Sequence, residues 1–194
     1  MLPDYIIFLI IPLKIIALMF CVDGMFLGKV KPDRVSLFLW SLPPMISLFL
    51  ALSHGGGIAA LPLLIAALAP LGILFLSFFS KNGGWKIGIF DYLCALLCII
   101  ALIFWIYSPY IIITVLCAIM ADIFATVPTL IKAWRFPETE STGVFLLGIV
   151  SNGLGLLVLK EWSFITAGFM VYLTLLSLTM SCILLRKKII NYLH

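Results

Sequence analysis

Charge is the property that this sequence has least of. Only 10% of its 194 residues are charged, against about 25% in soluble domains, whereas 64% are hydrophobic. Such a chain cannot cover a folded surface with polar groups, so an ordinary water-soluble domain is excluded. No hydrophilic stretch is long enough for a large extramembrane domain. The composition therefore predicts one membrane domain.

Histidine and the common catalytic motifs are also scarce. The two histidines are His54 and His194, and neither H-E-x-x-H, G-x-S-x-G nor a phosphate-binding loop occurs. Cys94 and Cys98 share a helix face, but no histidine or further cysteine stands at ligand spacing from them. We therefore expect no enzyme activity, no metal site and no cofactor.

Long apolar runs are what the sequence does contain. Seven of them, each near the ~20 residues that cross a hydrocarbon core, are separated by charges and turn residues. They are 5–27, 35–53, 58–79, 87–107, 109–131, 142–159 and 163–185. The sequence predicts an all-α membrane protein with seven transmembrane helices.

Basic residues are sorted along these runs. Ten of the twelve lie in the first, third and fifth connections and in the C-terminal tail, while Lys160 lies on the opposite side and Lys14 inside the first run. The ten are Lys29, Lys31, Arg34, Lys81, Lys86, Lys132, Arg135, Arg186, Lys187 and Lys188. The positive-inside rule then predicts a multi-pass protein of the cell (inner) membrane, with its N-terminus outside and its C-terminus cytoplasmic. We assign the net charge of +4 to solvated loops that face anionic lipid headgroups, so no nucleic-acid partner is expected.

Two connections share a short motif. Pro32-Asp33-x-x-Ser36 recurs as Pro137-Glu138-x-x-Ser141, 105 residues later. The same offset places the second run on the sixth and the third run on the seventh. We interpret the chain as two parallel triple-helix repeats, residues 1–86 and 108–194, joined by a linker helix at 87–107.

The motifs and this plan resemble the SWEET and PQ-loop transporter superfamily, and are similar to small, uncharacterised bacterial PQ-loop-like membrane proteins. The resemblance rests on Val127-Pro128-Thr129-Leu130-Ile131-Lys132 before Pro137-Glu138-Thr139-Glu140-Ser141, and on Gly28-Lys29-Val30-Lys31-Pro32-Asp33-Arg34 before Ser36 and Trp40. The Pro-Gln dipeptide is absent, with Pro128-Thr129 and Asp23-Gly24 in its place. The resemblance implies 3+1+3 helices with the N-terminus outside.

Ionisable residues inside the runs are the first candidate site residues. Asp122 lies about thirteen residues from either end of the segment 109–134, where a carboxylate is costly unless it is protonated, paired or hydrated. We expect Asp122 to face a cavity and to bind a proton or a cationic group. Lys14 lies similarly deep in the first run, where ion coupling and snorkelling to the interface are the two alternatives.

Solute contacts are predicted at Trp40 and at Ser151-Asn152. An indole face stacks on sugar-like or planar solutes, while an amide both donates and accepts hydrogen bonds. SWEET-like transporters use Trp and Asn in this way. The alternatives are an aromatic-belt anchor for Trp40 and an interhelical hydrogen bond for Asn152.

Prolines within the runs are candidate hinges. Each removes a backbone donor and frees a carbonyl, which suits a helix that bends between two states, although a static kink is the alternative. We name Pro43, Pro44 and above all Pro128, because Pro128 also matches the family motif.

These features together predict a membrane transporter that moves a small polar solute, sugar-like or another small metabolite, by alternating access. The rival interpretation is a non-transporting receptor or assembly factor, since PQ-loop-like folds also serve cargo recognition. The expected partners are the lipid bilayer and the solute, and a homo-oligomer is compatible with the sequence. A continuous polar cavity leading to Asp122 would favour the transporter.

Overall fold

Every regular element of the described chain is a helix. The computed structural model describes residues 7–53, 61–80, 85–158 and 162–193, and no strand occurs in those ranges. The elements are α1 Ile7–Phe26, α2 Arg34–Ser53, α3 Leu61–Ser77, α4 Ile89–Tyr107, α5 Ile111–Arg135, a 3-10 turn Pro137–Thr139, α6 Thr142–Val158 and α7 Phe164–Leu193. The predicted all-α class is confirmed there. His54, Lys81, Lys160 and His194 lie outside the described residues.

Within the described ranges, four helices are long and apolar enough to cross a membrane. The spans are Leu9–Phe26, Ile89–Tyr107, Val115–Arg135 and Ala167–Arg186, and Ala66–Ser77 and Thr142–Val158 are shorter apolar helices. The last helix extends to Leu193, beyond the predicted end of the seventh run at 185. Charged residues end an apolar run, but they do not interrupt helical hydrogen bonding.

Side-chain size is distributed as expected for helices that pack closely and face lipid. Seven alanines and seven serines are among the buried residues, because small side chains let helix backbones approach one another. Large apolar side chains point outward instead, and examples are Leu9, Phe75, Ile89, Phe104, Ile106 and Leu175. In water this pattern would expose a large hydrophobic surface.

Six helices close into a ring. Going round it, α1 packs against α3, α3 against α2, α2 against α5, α5 against α7, α7 against α6 and α6 against α1. The remaining helix, α4, packs against α2 and α5. Leu39, Trp105 and Ala121 bury their side chains in one cluster where these last three helices meet.

The connections 27–33 and 136–141 and the described parts of the connection between α3 and α4, residues 78–80 and 85–88, meet at one end of the ring, which we call the basic end. Lys31 N–H donates to the Thr139 carbonyl at 3.0 Å, and Trp85 N–H donates to the Pro32 carbonyl at 3.0 Å. These two bonds join all three connections. The first connection turns at Gly28, whose φ of 73° lies in the left-handed region that favours glycine.

The repeated motif is not in equivalent positions in the two halves. Helix α2 begins at Arg34 and helix α6 at Thr142, which are 108 residues apart rather than the 105 of the motif. The three-residue 3-10 turn Pro137–Thr139 accounts for this difference, since the first connection has no such turn. Pro137-Glu138 therefore lies in a turn, whereas Asp33 directly precedes its helix.

Candidate functional site

A cavity of about 500 Å³ lies inside the ring, and all seven helices contribute to its wall. At its outer reach lie Ile10 of α1 and Gly155 of α6, each within about one turn of the helix end that is opposite the basic end. The volume falls within the range of small-molecule sites, roughly 300–1,000 Å³.

Most of the residues singled out from the sequence line this cavity. They are Lys14, Trp40, Pro43, Pro44, Asp122, Ser151 and Asn152. Pro128 is the exception, because it lies in the same helix as Asp122 but nearer the basic end and does not line the cavity. Four helices, α1, α2, α5 and α6, carry these residues, so only tertiary packing brings them together.

Asp122 is the centre of a polar network. Its Oδ2 accepts a hydrogen bond from the Tyr172 hydroxyl at 2.8 Å and a longer one from Thr126 Oγ1 at 3.5 Å. The Thr126 oxygen in turn accepts from Trp40 Nε1 at 3.0 Å. Asp122 is only 9% exposed, so this carboxylate is held by two hydroxyl donors within a largely apolar wall. Three helices, α2, α5 and α7, are joined through it.

Lys14 differs from Asp122, because no partner for it occurs in the described part of the chain. Its side chain is accessible and lines the cavity, yet among the described residues no hydrogen bond or ion pair reaches its ammonium group. In particular, Lys14 and Asp122 line one cavity without forming an ion pair. The cavity therefore presents an ammonium and a carboxylate separately.

The Trp40 indole divides the large cavity from a smaller pocket of about 70 Å³ towards the basic end, since it lines both. Its N–H donates a hydrogen bond to Thr126 Oγ1, so the indole is oriented inward rather than towards lipid headgroups. On the opposite side of the ring, Ser151 Oγ donates to the Gly148 carbonyl at 3.3 Å, while Asn152 lines the cavity beside it.

A buried ion pair lies beneath this pocket at the basic end. The Lys132 ammonium pairs with the Glu140 carboxylate and donates to the Lys31 carbonyl at 2.6 Å. It also lies 5.6 Å from the centre of the Trp85 ring. Lys132 is 2% exposed, so the prediction that it is a solvated loop cation is wrong. The helix carries Lys132 inward, against the first and third connections.

The basic end has two further polar contacts, a hydrogen bond between two hydroxyl groups and an N-cap on α2. Thr129 Oγ1 donates to Ser36 Oγ at 3.0 Å, which gives α5 and α2 a second polar contact besides Trp40 with Thr126. Asp33 Oδ1 accepts from the backbone N–H groups of Val35 and Ser36, at 3.0 and 3.2 Å, and so caps α2. Pro128 lies in α5 between the two threonines that bond to α2.

Burial shifts the pKa values of two carboxylates that line the small pocket, Glu140 and Asp33. Burial raises the pKa of Glu140, and the adjacent Lys132 ammonium opposes that rise. Burial also raises the pKa of Asp33, opposed by the N–H groups that its Oδ1 caps, while its buried Oδ2 finds no hydrogen-bond partner among the described residues. One oxygen of Asp33 is thus bonded in a cap and the other is buried without a hydrogen bond to them.

Asp33→Asn is expected to change how stability depends on pH. A raised pKa means that the folded protein holds the Asp33 proton more tightly, so this residue's contribution to stability falls as pH rises from the ordinary value of 3.8 through the raised pKa. Asparagine keeps the capping oxygen and does not titrate. Thermal unfolding should therefore show the variant losing less stability than the parent over this pH window.

The control for this measurement is Asp33→Ala, which removes both the charge and the cap. It should lose about 0.5–2 kcal/mol relative to Asp33→Asn at every pH. Parallel pH profiles for the parent protein and Asp33→Asn would show that Asp33 does not titrate differently in the folded state.

Comparisons with known proteins bear on none of these residues. No family model, curated protein or solved structure matches this chain. Membership of the SWEET and PQ-loop superfamily therefore stays a prediction from the motifs quoted above. Among the described residues there is also no group of three His, Cys, Asp or Glu side chains that could hold a metal ion.

Several site residues were not singled out from the sequence. Tyr172 and Thr126 bond to Asp122, and Trp105 lines the cavity, but within an apolar run each of these residue types is common in ordinary packing. Thr126 carried a usable signal, because it lies one helical turn after Asp122. Tyr172 carried none, since fifty residues separate it from Asp122.

Proposed function

We propose that this chain is a membrane transporter that moves a small polar solute through its central cavity by alternating access. The observation that carries the proposal is the cavity itself. It is large enough for a metabolite, it is bounded by all seven helices, and it brings together Lys14, Trp40, Asp122 and Asn152. Polar groups of this kind are expensive in a membrane and mark solute or ion pathways.

The proposed architecture is seven membrane crossings in a 3+1+3 plan. Support comes from the ring of helices, whose contacts are preserved when α1, α2 and α3 are exchanged with α5, α6 and α7. The third helix of each triplet packs between the first and the second, and the triplets meet through α1 with α6 and α5 with α2. Among the α-helices of the described residues, α4 is the one without a counterpart, as a linker would be.

The proposed orientation places the basic end in the cytoplasm of a cell whose inner membrane holds the protein. Ten of the twelve basic residues belong to that end or to the C-terminal tail, which supports an N-terminus outside and a C-terminus inside. In this orientation the cavity of the present structure lies towards the outside, because its wall includes residues near the outer helix ends.

In the proposed cycle the contacts at the basic end form the closed inner gate. Two hydrogen bonds, Trp40 to Thr126 and Thr129 to Ser36, hold α2 against α5. Lys132 binds the connections together through Glu140 and the Lys31 carbonyl. Inward opening requires α2 and α5 to part. Pro128 is placed to serve as the hinge of α5, between the two threonines, and Asp122 as the group that binds the coupling proton.

Cysteine labelling in membrane vesicles tests both access and orientation. We choose Ala118→Cys, whose side chain lines the cavity, in a protein whose five native cysteines are replaced by alanine. Alternating access predicts that a membrane-impermeant maleimide labels this position from either side, because each state exposes the cavity to one side.

Two connection positions are the controls in the same background. Ser108→Cys should be labelled from outside only and Lys86→Cys from the cytoplasmic side only. Reversed labelling of these controls would refute the orientation. Labelling of Ala118→Cys from one side only, with correct controls, would refute alternating access and favour the receptor or assembly role.

A further inference from the structure

Asp122 and Lys14, the two charged residues described in the cavity wall, differ in the hydrogen bonds that the protein gives them. The Asp122 carboxylate already receives hydroxyl hydrogen bonds from Tyr172 and Thr126. The Lys14 ammonium finds no acceptor or counter-charge among the described residues. A bound anion could pair with this ammonium through charge-assisted hydrogen bonds. The Lys14 ammonium is therefore the group in the cavity wall that a ligand would pair with.

The rest of the wall indicates the remainder of the ligand. Aliphatic and aromatic side chains make up most of it, and they include Ile10, Pro43, Trp105, Phe169, Met170 and Leu173. Asn152 adds an amide that can donate to an oxygen. Among the described residues one cationic side chain lines the cavity, so a second negative charge on the ligand would find no partner there. A single anionic head on an apolar body matches this wall.

Resting on the proposed transport function, we propose that the solute is a small organic monocarboxylate whose head is held by Lys14 and Asn152. Its apolar body lies against the aromatic and aliphatic wall. A bound carboxylate and an ionised Asp122 repel each other within one cavity, so anion binding and proton binding at Asp122 favour each other. Solute and proton therefore bind together.

Other titratable groups near Asp122 were considered in that coupling. They are Tyr172 of α7, whose hydroxyl bonds to the carboxylate, Cys98 of α4, which experiences its charge, and Lys14 of α1. Tyrosine and cysteine are neutral near pH 7, and lysine is charged. Asp122 is thus the group whose protonation changes the charge of the cavity in the acid range.

Four probes with five carbon atoms each test the class of solute. They are pentanoate, pentanamide, pentylamine and norvaline, which carry an anionic, a neutral, a cationic and a zwitterionic head. The affinity of each for the full-length protein in nanodiscs would be measured by titration calorimetry, with the fluorescence of the cavity residues Trp40 and Trp105 as a second readout. We expect pentanoate to bind at least about tenfold more tightly than the other three, and more tightly at lower pH.

Substitutions of Lys14 locate the effect. Lys14→Gln should weaken pentanoate binding by about tenfold to a hundredfold and leave pentanamide unchanged, while Lys14→Arg keeps most of the affinity. Lys29→Gln removes the same charge from an exposed residue of the first connection and is the matched control. The ranking of the four probes on the unmodified protein needs no variant, so a Lys14 variant that misfolds does not obscure the result.

Each outcome decides the proposal. Preference for norvaline, pentylamine or pentanamide, equal affinity for all four, or no binding of pentanoate would overturn the monocarboxylate class. Pentanoate binding that survives Lys14→Gln would overturn the role of Lys14. None of these outcomes changes the maleimide labelling of Ala118→Cys, which judges alternating access separately.

Discussion

Asp122→Asn is expected to abolish the coupling of transport to pH while leaving transport itself intact. An amide cannot bind or release the coupling proton, but its oxygen can still accept from Tyr172 and Thr126, which bond to Asp122 in the parent. Coupling to one proton supports about tenfold accumulation of solute per unit of pH gradient. The labelled solute, one that binds the parent, is added outside proteoliposomes that hold Asp122→Asn. We expect the ratio of internal to external solute to fall to about one.

The exchange of labelled for unlabelled solute separates coupling from general damage. Exchange at equal pH on both sides should persist in Asp122→Asn, because it requires no net proton movement. Asp23→Asn makes the same chemical change at an exposed residue of α1 and should keep full coupling. Undiminished accumulation by Asp122→Asn under a pH gradient would refute the role of Asp122.

Lys132→Met should produce the largest loss of stability. It leaves the buried Glu140 carboxylate without its counter-charge, and breaking a buried ion pair costs about 3–5 kcal/mol. The change also removes the hydrogen bond to the Lys31 carbonyl. Unfolding in a denaturing detergent, followed by tryptophan fluorescence, would measure the free energy lost.

A double substitution provides the control for Lys132. In Lys132→Met with Glu140→Leu both charges are absent, so no uncompensated charge is buried, and the double variant should recover stability relative to Lys132→Met alone. Glu140→Gln alone should weaken the protein in the same direction as Lys132→Met. Additive losses in the double variant would show that the two residues stabilise the fold independently.

The opening of the basic end is a second readout of the same substitutions. If Lys132 fastens the inner gate, Lys132→Met should increase cytoplasmic labelling of Ala118→Cys and decrease labelling from outside. An unchanged ratio would mean that the ion pair stabilises the connections without controlling access to the cavity.

Helix positions could be predicted from the sequence because a single local property, the run of apolar residues, determines them. The linker run at 87–107 corresponds to Ile89–Tyr107, and the fifth run begins within two residues of its helix. Cavity residues could be predicted for a related reason. A polar side chain such as Asp122 or Asn152 within an apolar run has few favourable places other than the protein interior.

Partners could not be predicted in the same way, because they depend on which helices meet. The sequence places Lys132 among basic loop residues, and nothing local indicates that Glu140 and the Lys31 carbonyl surround it. The 105-residue offset brings the end of α2 at Ser53 onto the end of α6 at Val158, but the start of α6 lies three residues later than the offset predicts. The 3-10 turn Pro137–Thr139 precedes α6, and a motif match alone does not detect such a turn.

The distance along the chain between Asp122 and Tyr172 has a consequence for biosynthesis. The two residues are fifty positions apart, so at about 5–20 residues per second the hydroxyl is synthesised roughly 3–10 s after the carboxylate. In the proposed multi-pass insertion, helix α5 would therefore reach the translocon before the helix that completes its polar contacts. Its carboxylate must stay protonated or hydrated during that interval. Release of α5 into lipid and assembly of the ring are thus separate events, and the ring can close only when the last helix arrives.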